Sequence, residues 1–135
     1  MSGGPNFGMA DLRDFGLAPA AIAALPRHPA APRSDSLPEA LGILYVLEGA
    51  TLGGQVVLRR LSAKIGISPV FGGRFFASYG PDVGRMWRAY VEVLERCGAA
   101  PPRAEMIERS AVAAFKAFDA WLSRGGGTRV AGLPA

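Results

Sequence analysis

Residues 37–65, LPEALGILYVLEGATLGGQVVLRRLSAKI, constrain the fold more than any other part of the chain. Leu41, Leu44, Val46 or Leu47, Leu52, Val56 and Leu61 recur at helical spacing. Ser36 and Glu39 stand at capping-box spacing, and Pro38 falls in the first turn, where its missing N–H costs nothing. The pattern predicts one long helix starting near Leu37 and ending at Gly66. Yet Gly49, Gly53 and Gly54 lie inside it. An interior glycine costs roughly 1 kcal/mol relative to alanine, so the segment gives up about 3 kcal/mol of local preference and becomes easier to bend. The question is what is gained by removing side chains from one patch of an apolar helix.

The remainder of the chain is punctuated by proline and glycine. Residues 1–8 read as loose, and residues 9–25 as one or two short helices interrupted at Gly16 and Pro19. Three prolines make residues 26–35 a loop, since proline ends a helix at or before itself. RFFASY at 74–79 reads as a short helical piece, and GPD at 80–82 opens another helix. Met86, Trp87, Tyr90, Val91, Val93 or Leu94, and Cys97 form its apolar stripe, with Gly98 as the closing C′ residue. A last helix follows Pro101 and Pro102 and runs to about Arg124. Its stripe is Met106 or Ile107, Ala111, Ala114 or Phe115, Phe118, and Trp121 or Leu122. The tail from 125 to 135 reads as frayed. No stretch alternates as a strand does, and QVVL at 55–58 lies inside the helical pattern. The expectation is an all-α fold, residues 1–135 forming a single helical domain.

Composition narrows the function classes. Half of the 135 residues are hydrophobic and 19% are charged, as in a globular domain. The net charge of +4 is carried almost entirely by arginine, Lys64 and Lys116 being the only lysines. Arginine suits fixed bidentate contacts to carboxylates and phosphates. No recognition-helix pattern or aromatic–basic interleaving accompanies that charge, so nucleic acid is not an expected partner. The single cysteine, Cys97, excludes an internal disulfide and a multi-cysteine zinc site, and reads as a small core residue. The single histidine, His28, excludes a histidine-rich metal cluster. No uninterrupted apolar run reaches the roughly 18 residues of a membrane span, and the first residues lack the pattern of a signal peptide. The expected setting is cytoplasmic, with no membrane partner.

Gly49 and Gly53 are four apart and share a helix face with Gly54 beside them; Gly42 precedes Gly49 by one heptad. Such a strip admits either a flat ligand or the backbone of a neighbouring helix. Arg59, Arg60 and Lys64 follow within the next turns. They either complement the helix dipole or clamp carboxylates at the rim of a glycine-lined slot. Tyr45 and Thr51 either donate hydrogen bonds into that slot or pack as ordinary helix residues. Glu48 is either a buried acid or a solvent-facing one. His28 is the only conventional axial ligand for a haem iron, but a proline-flanked loop positions it less rigidly than a helix would. One histidine gives no catalytic triad, and GGGT at 125–128 lacks the lysine and following helix of a phosphate loop.

The sequence ALGILYVLEGATLGGQVVLRRL at 40–61 resembles the distal-helix signature of bacterial haem oxygenases, particularly those associated with bacteriophytochromes. RFFASYGPDVGRMWRAYVEVLE at 74–95 is similar to a second family segment, and AAFKAFDAWL at 113–122 to its closing helix. The resemblance covers about residues 9–124. It implies that Gly49, Gly53 and Gly54 line the distal face of haem, leaving room for dioxygen and ordered water. Ala50 stands where relatives often have serine. Tyr45 and Ala50 would border the ring, and Arg59, Arg60 or Lys64 would partner the propionates. The implied reaction converts haem, both substrate and cofactor, to biliverdin, carbon monoxide and iron, with electrons from a ferredoxin or reductase. The family's N-terminal helix with its proximal histidine has no counterpart here. The expectation is therefore an N-terminally truncated domain with impaired turnover, His28 being the weaker candidate for the iron. The alternative is a non-catalytic haem- or tetrapyrrole-binding helical module, or one that dimerises through the groove left open.

Overall fold

A computed structural model describes residues 5–125. Every regular element among them is helical, and the only bridges are isolated ones within residues 68–72. The fold is all-α, as its periodicity predicts. In chain order the helices are α1 (Pro5–Asp14), α2 (Pro19–Ala23), α3 (Leu37–Ile65), α4 (Arg74–Ala77), α5 (Val83–Gly98) and α6 (Pro101–Gly125), with a 3-10 turn at Gly80–Asp82. Two compact units are distinguished. Among the described residues, one combines residues 5–27 with Thr51–Val83, and the other combines His28–Ala50 with residues 84–125. Helix α3 contributes to both.

Helix α3 begins as its capping signals predict, with one shift. The Glu39 N–H donates to Ser36 Oγ at 3.4 Å, but Glu39 Oε2 accepts from the Asp35 N–H at 2.8 Å, one residue before the cap. The helix stops because Gly66 takes φ +71°, which residues with a Cβ rarely adopt. Its most apolar 18-residue window has mean hydropathy 1.5 and is only 22% buried, enough in length and composition to cross a bilayer. The expectation that no segment qualifies is thereby amended: Glu48, Thr51 and Gln55 interrupt the apolar run, but length and mean hydropathy suffice without an unbroken one.

In the first unit, Leu58, Ile67 and Ala77 form a small core with Leu61 and Phe76 against it. A carboxylate pair holds α4 onto α1. Asp11, 6% exposed, accepts the N–H groups of Arg74 at 3.0 Å and Phe75 at 2.8 Å, capping α4 from a residue more than sixty positions away. Asp14 accepts the Gly72 N–H at 2.8 Å and pairs with the Arg74 guanidinium. Gly72 is obligatory there: its φ is +69°, and a Cβ would lie 2.7 Å from the Phe15 ring. Residues 5–8, expected to be loose, are the first residues of α1. The expectations for residues 1–4 and for the tail beyond 125 lie outside the described residues.

In the second unit, Leu41, Tyr90 and Cys97 are the buried centre, with Leu44, Trp87, Val91, Leu94 and Ile107 packed around them. The Tyr90 hydroxyl donates to the Leu41 carbonyl at 2.7 Å, and Ser110 Oγ donates to the Glu39 carbonyl at 2.7 Å, tying α5 and α6 to the start of α3. Two details depart from the sequence reading. Gly98 is the last helical residue of α5 and lacks positive φ, so it is not a left-handed C′ residue. On α6 the inward line runs through Ile107, Ser110, Ala114 and Trp121, leaving Phe115, Phe118 and Leu122 at least half exposed.

Candidate functional site

The glycines of α3 separate into two kinds once each is given an imagined Cβ. At Gly42 that carbon would sit 2.4 Å from the Ile107 carbonyl oxygen, and at Gly54 it would sit 2.7 Å from the Phe76 carbonyl oxygen. Backbone atoms cannot yield to such contacts, so these two glycines exist to let another segment lie directly on the helix. Gly49 is different: the nearest atom is a ring carbon of Trp87 at 3.9 Å, an ordinary contact distance. A Cβ at Gly53 would meet nothing within 4 Å among the described residues. Helix–helix packing therefore accounts for Gly42, segment packing accounts for Gly54, and neither accounts for Gly53. The division follows from helix geometry, since Gly54 lies about 100° further round the axis than Gly53.

Around these positions α3 is open and apolar. Leu52 is 37% exposed and Val56 41%. Ala50 is exposed and Thr51 half-buried. Tyr45 stacks at 6.0 Å from the Trp87 ring centre and 6.2 Å from that of Phe115. It also lines a groove of about 300 Å³ with Leu94, Gly98, Ile107, Glu108 and Ala111. Arg59, Arg60 and Lys64 are exposed and form no ion pair among the described residues. Arg60 and Lys64 stand seven and eleven residues after Gly53 and share its face, whereas Arg59 is turned about 100° from Arg60. Two exposed cations thus stand along the helix face that carries the bare glycine.

Two polar residues gain definition that the sequence left open. Glu48 is 8% exposed, a buried acid on α3 beside Gly49. Burial, and then the neighbouring Tyr45 and Glu48, push the Tyr90 phenol up to about 12, so it stays a neutral donor to Leu41. His28 packs against Trp121 with ring centres 5.2 Å apart, and its Nδ1 accepts the Ala30 N–H at 3.0 Å. A neutral imidazole that accepts at Nδ1 carries its proton on Nε2. An iron ligand binding through Nε2 requires the opposite tautomer. No group of three metal-ligating side chains occurs among the described residues.

The features that sequence reasoning missed depend on distant pairing. Asp11 at the start of α4 and Phe76 over Gly54 are separated from their partners by tens of residues, and no local spacing announces either contact. The inward face of Glu48 was legible in principle, since Glu48 follows Leu41 and Leu44 at spacings of seven and four.

Comparison with curated proteins and with solved structures returns no match. The family model described as Heme oxygenase matches residues 7–124, which take in α3 with all its glycines, the α4 corner, α5 and nearly all of α6. With that match over most of its length, the chain belongs to the haem oxygenase family.

Proposed function

We propose that the chain acts as a haem oxygenase-like protein. Haem would be both its substrate and its cofactor, opened oxidatively to biliverdin with release of carbon monoxide and iron. The observation that carries this reading is the family match over residues 7–124. The residues suit such a ligand. Gly49 and Gly53 leave the α3 backbone uncovered, Leu52 and Val56 offer exposed apolar contact, and Arg60 and Lys64 offer charge to two carboxylates. When bound, haem supplies the oxidative chemistry, and a ferredoxin or reductase supplies the electrons.

The chain's own part is positional. Bare backbone at Gly49 and Gly53 lets a planar ring approach closely, so the orientation of the ring is set by the shape of α3. Leu52 and Val56 exclude water from one side. Ala50 brings no hydroxyl, so any ordered water over that residue must be held by other donors, of which the Tyr45 phenol is the nearest aromatic one along the helix. Arg60 and Lys64 fix the polar edge. The bacteriophytochrome-associated subtype and a cytoplasmic setting belong to the same proposal.

One observation favours a second reading, tetrapyrrole binding without turnover. His28 Nδ1 accepts the Ala30 N–H in an exposed loop, which supports reading His28 as the weaker candidate for the axial position. Haem titration separates the readings. A Soret band that decays to a biliverdin spectrum on addition of ascorbate supports the first, and a band that persists supports the second. Gly49→Leu should abolish the band, and unchanged affinity in that variant would mean the bare face is not the site. His28→Ala should leave the band in place, and its loss would assign the axial role to His28.

A further inference from the structure

Among the described residues, backbone strain and an unsatisfied polar group meet at the corner that joins α4 to the 3-10 turn. Ser78 has φ +47° and ψ −116°, and Tyr79 has φ −72° and ψ −1°. These are the angles of a type II′ turn, whose first central position favours glycine. Ser78 is the only non-glycine with positive φ among the described residues. Its Oγ is also the one buried side-chain oxygen or nitrogen among them without a hydrogen-bond partner. Backbone strain and an unsatisfied hydroxyl each raise the energy of this conformation, and here they coincide in one residue.

What holds the corner down is equally local. Gln55 Nε2 donates to the Ala77 carbonyl at 2.7 Å, one residue before Ser78. The Phe76 carbonyl oxygen, one residue earlier again, lies 2.7 Å from where a Cβ of Gly54 would be. The segment 76–78 therefore lies across the glycine stretch of α3, latched by a side chain of α3 itself.

We propose that Phe76–Ser78 is a strap over Gly54, latched by Gln55 and sprung by Ser78, which opens to widen the bare surface of α3 round the axis from Gly53 to Gly54. Opening returns Ser78 to ordinary backbone angles and gives its hydroxyl access to water. The Gln55 amide and the Ala77 carbonyl are released to solvent together, so neither is left buried and unpaired. The consequence for ligand entry rests on the haem reading above; the opening itself does not.

The test is hydrogen exchange on the whole chain without ligand, followed by haem association in stopped flow. Opening unwinds the end of α4, so the Ala77 and Ser78 amides, which donate to the Gly73 and Arg74 carbonyls at 2.9 Å, report it. Ser78→Gly removes strain and hydroxyl together and should slow exchange of these amides about tenfold. Gln55→Met keeps the bulk and removes the latch, and should speed it about tenfold. Amides of α5 should be unaffected by both. Unaltered exchange at Ala77 and Ser78 in both variants overturns the strap. Haem association should slow in Ser78→Gly and quicken in Gln55→Met; identical rates beside altered exchange overturn the gating. If the exchange pattern holds while no variant and not the parent takes up haem, the haem reading fails and the strap stands.

Discussion

Gly53 and Gly54 are adjacent in the chain, and alanine at each should have opposite effects on stability. At Gly53 an added Cβ meets nothing within 4 Å among the described residues. The substitution then has only its helix-propensity effect, a gain of about 1 kcal/mol. At Gly54 the same carbon would lie 2.7 Å from the Phe76 carbonyl oxygen and 3.4 Å from two further backbone atoms. Forcing packed backbone aside costs about 1–3 kcal/mol, which the propensity gain offsets only in part. The two alanine variants should therefore differ by about 1–3 kcal/mol, with Gly53→Ala above the parent and Gly54→Ala at or below it. At this chain length the separation corresponds to roughly 3–15 °C in Tm. Urea melts of the three proteins, compared at equal m, measure it directly. The ligand assay should rank them otherwise, because a Cβ at Gly53 stands on the proposed haem face: Gly53→Ala should gain stability and lose haem affinity. If Gly53→Ala is destabilised, or if both alanines stabilise equally, the division of the glycines into packing and ligand positions is wrong.

Other expectations follow from the polar anchors. Asp11→Ala strands the Arg74 and Phe75 N–H groups at the start of α4 and should cost about 2–4 kcal/mol, read as a lowered midpoint in urea. The Gly72 N–H, and then the Arg74 guanidinium, hold the Asp14 carboxyl below its usual range. Its contribution is therefore fully present above the unfolded value near 3.8 and is lost as pH falls through the lower folded value; Asp14→Asn should flatten that acid limb in melts between pH 5 and pH 2, and an unchanged slope would refute the pairing. For Tyr90 the sign is reversed, because its folded value of about 12 lies above the ordinary 10.0: its share of stability is intact below pH 10 and declines as pH rises toward 12. Phenolate absorbance should show a late step near pH 12, and Tyr90→Phe should remove it while costing about 1 kcal/mol at neutral pH for the lost bond to Leu41.

Helix α3 was legible almost to the residue, because its signals are local: a capping pair at 36 and 39, a proline in the first turn, apolar residues at 3.6 spacing and a glycine free to turn left-handed at 66. The breaks near Gly16 and Pro19 were legible for the same reason. The register of α6 was not. Its apolar residues cover more than one face, and only the approach of Gly42 to the Ile107 carbonyl decides that Ala114 turns inward while Phe115 does not. Pro5 could begin α1 because proline suits the first turn of a helix, a local signal outweighed in the sequence by the glycines around it. At the candidate site the sequence identified the glycines but not their separate uses. Spacing places Gly49, Gly53 and Gly54 along one short stretch, and whether a carbonyl or open space faces each depends on segments twenty or more residues away.

The two kinds of glycine also explain why α3 can afford so many. Gly42 and Gly54 return their propensity cost within the folded chain, since each lets backbone pack against the helix at a distance that alanine forbids. Gly53 has no such return in the described residues, and Gly49 has only an ordinary contact with Trp87. Together they leave roughly 2 kcal/mol of helix preference unrecovered. A ligand that binds the folded chain alone, present at a hundredfold excess over its Kd, stabilises it by about 2.7 kcal/mol, enough to offset that deficit. A helix shaped only for packing would put alanine at Gly53 and lose nothing. That glycine stands there, uncovered by the described residues and on the face it shares with Arg60 and Lys64, is what supports the ligand face proposed for α3.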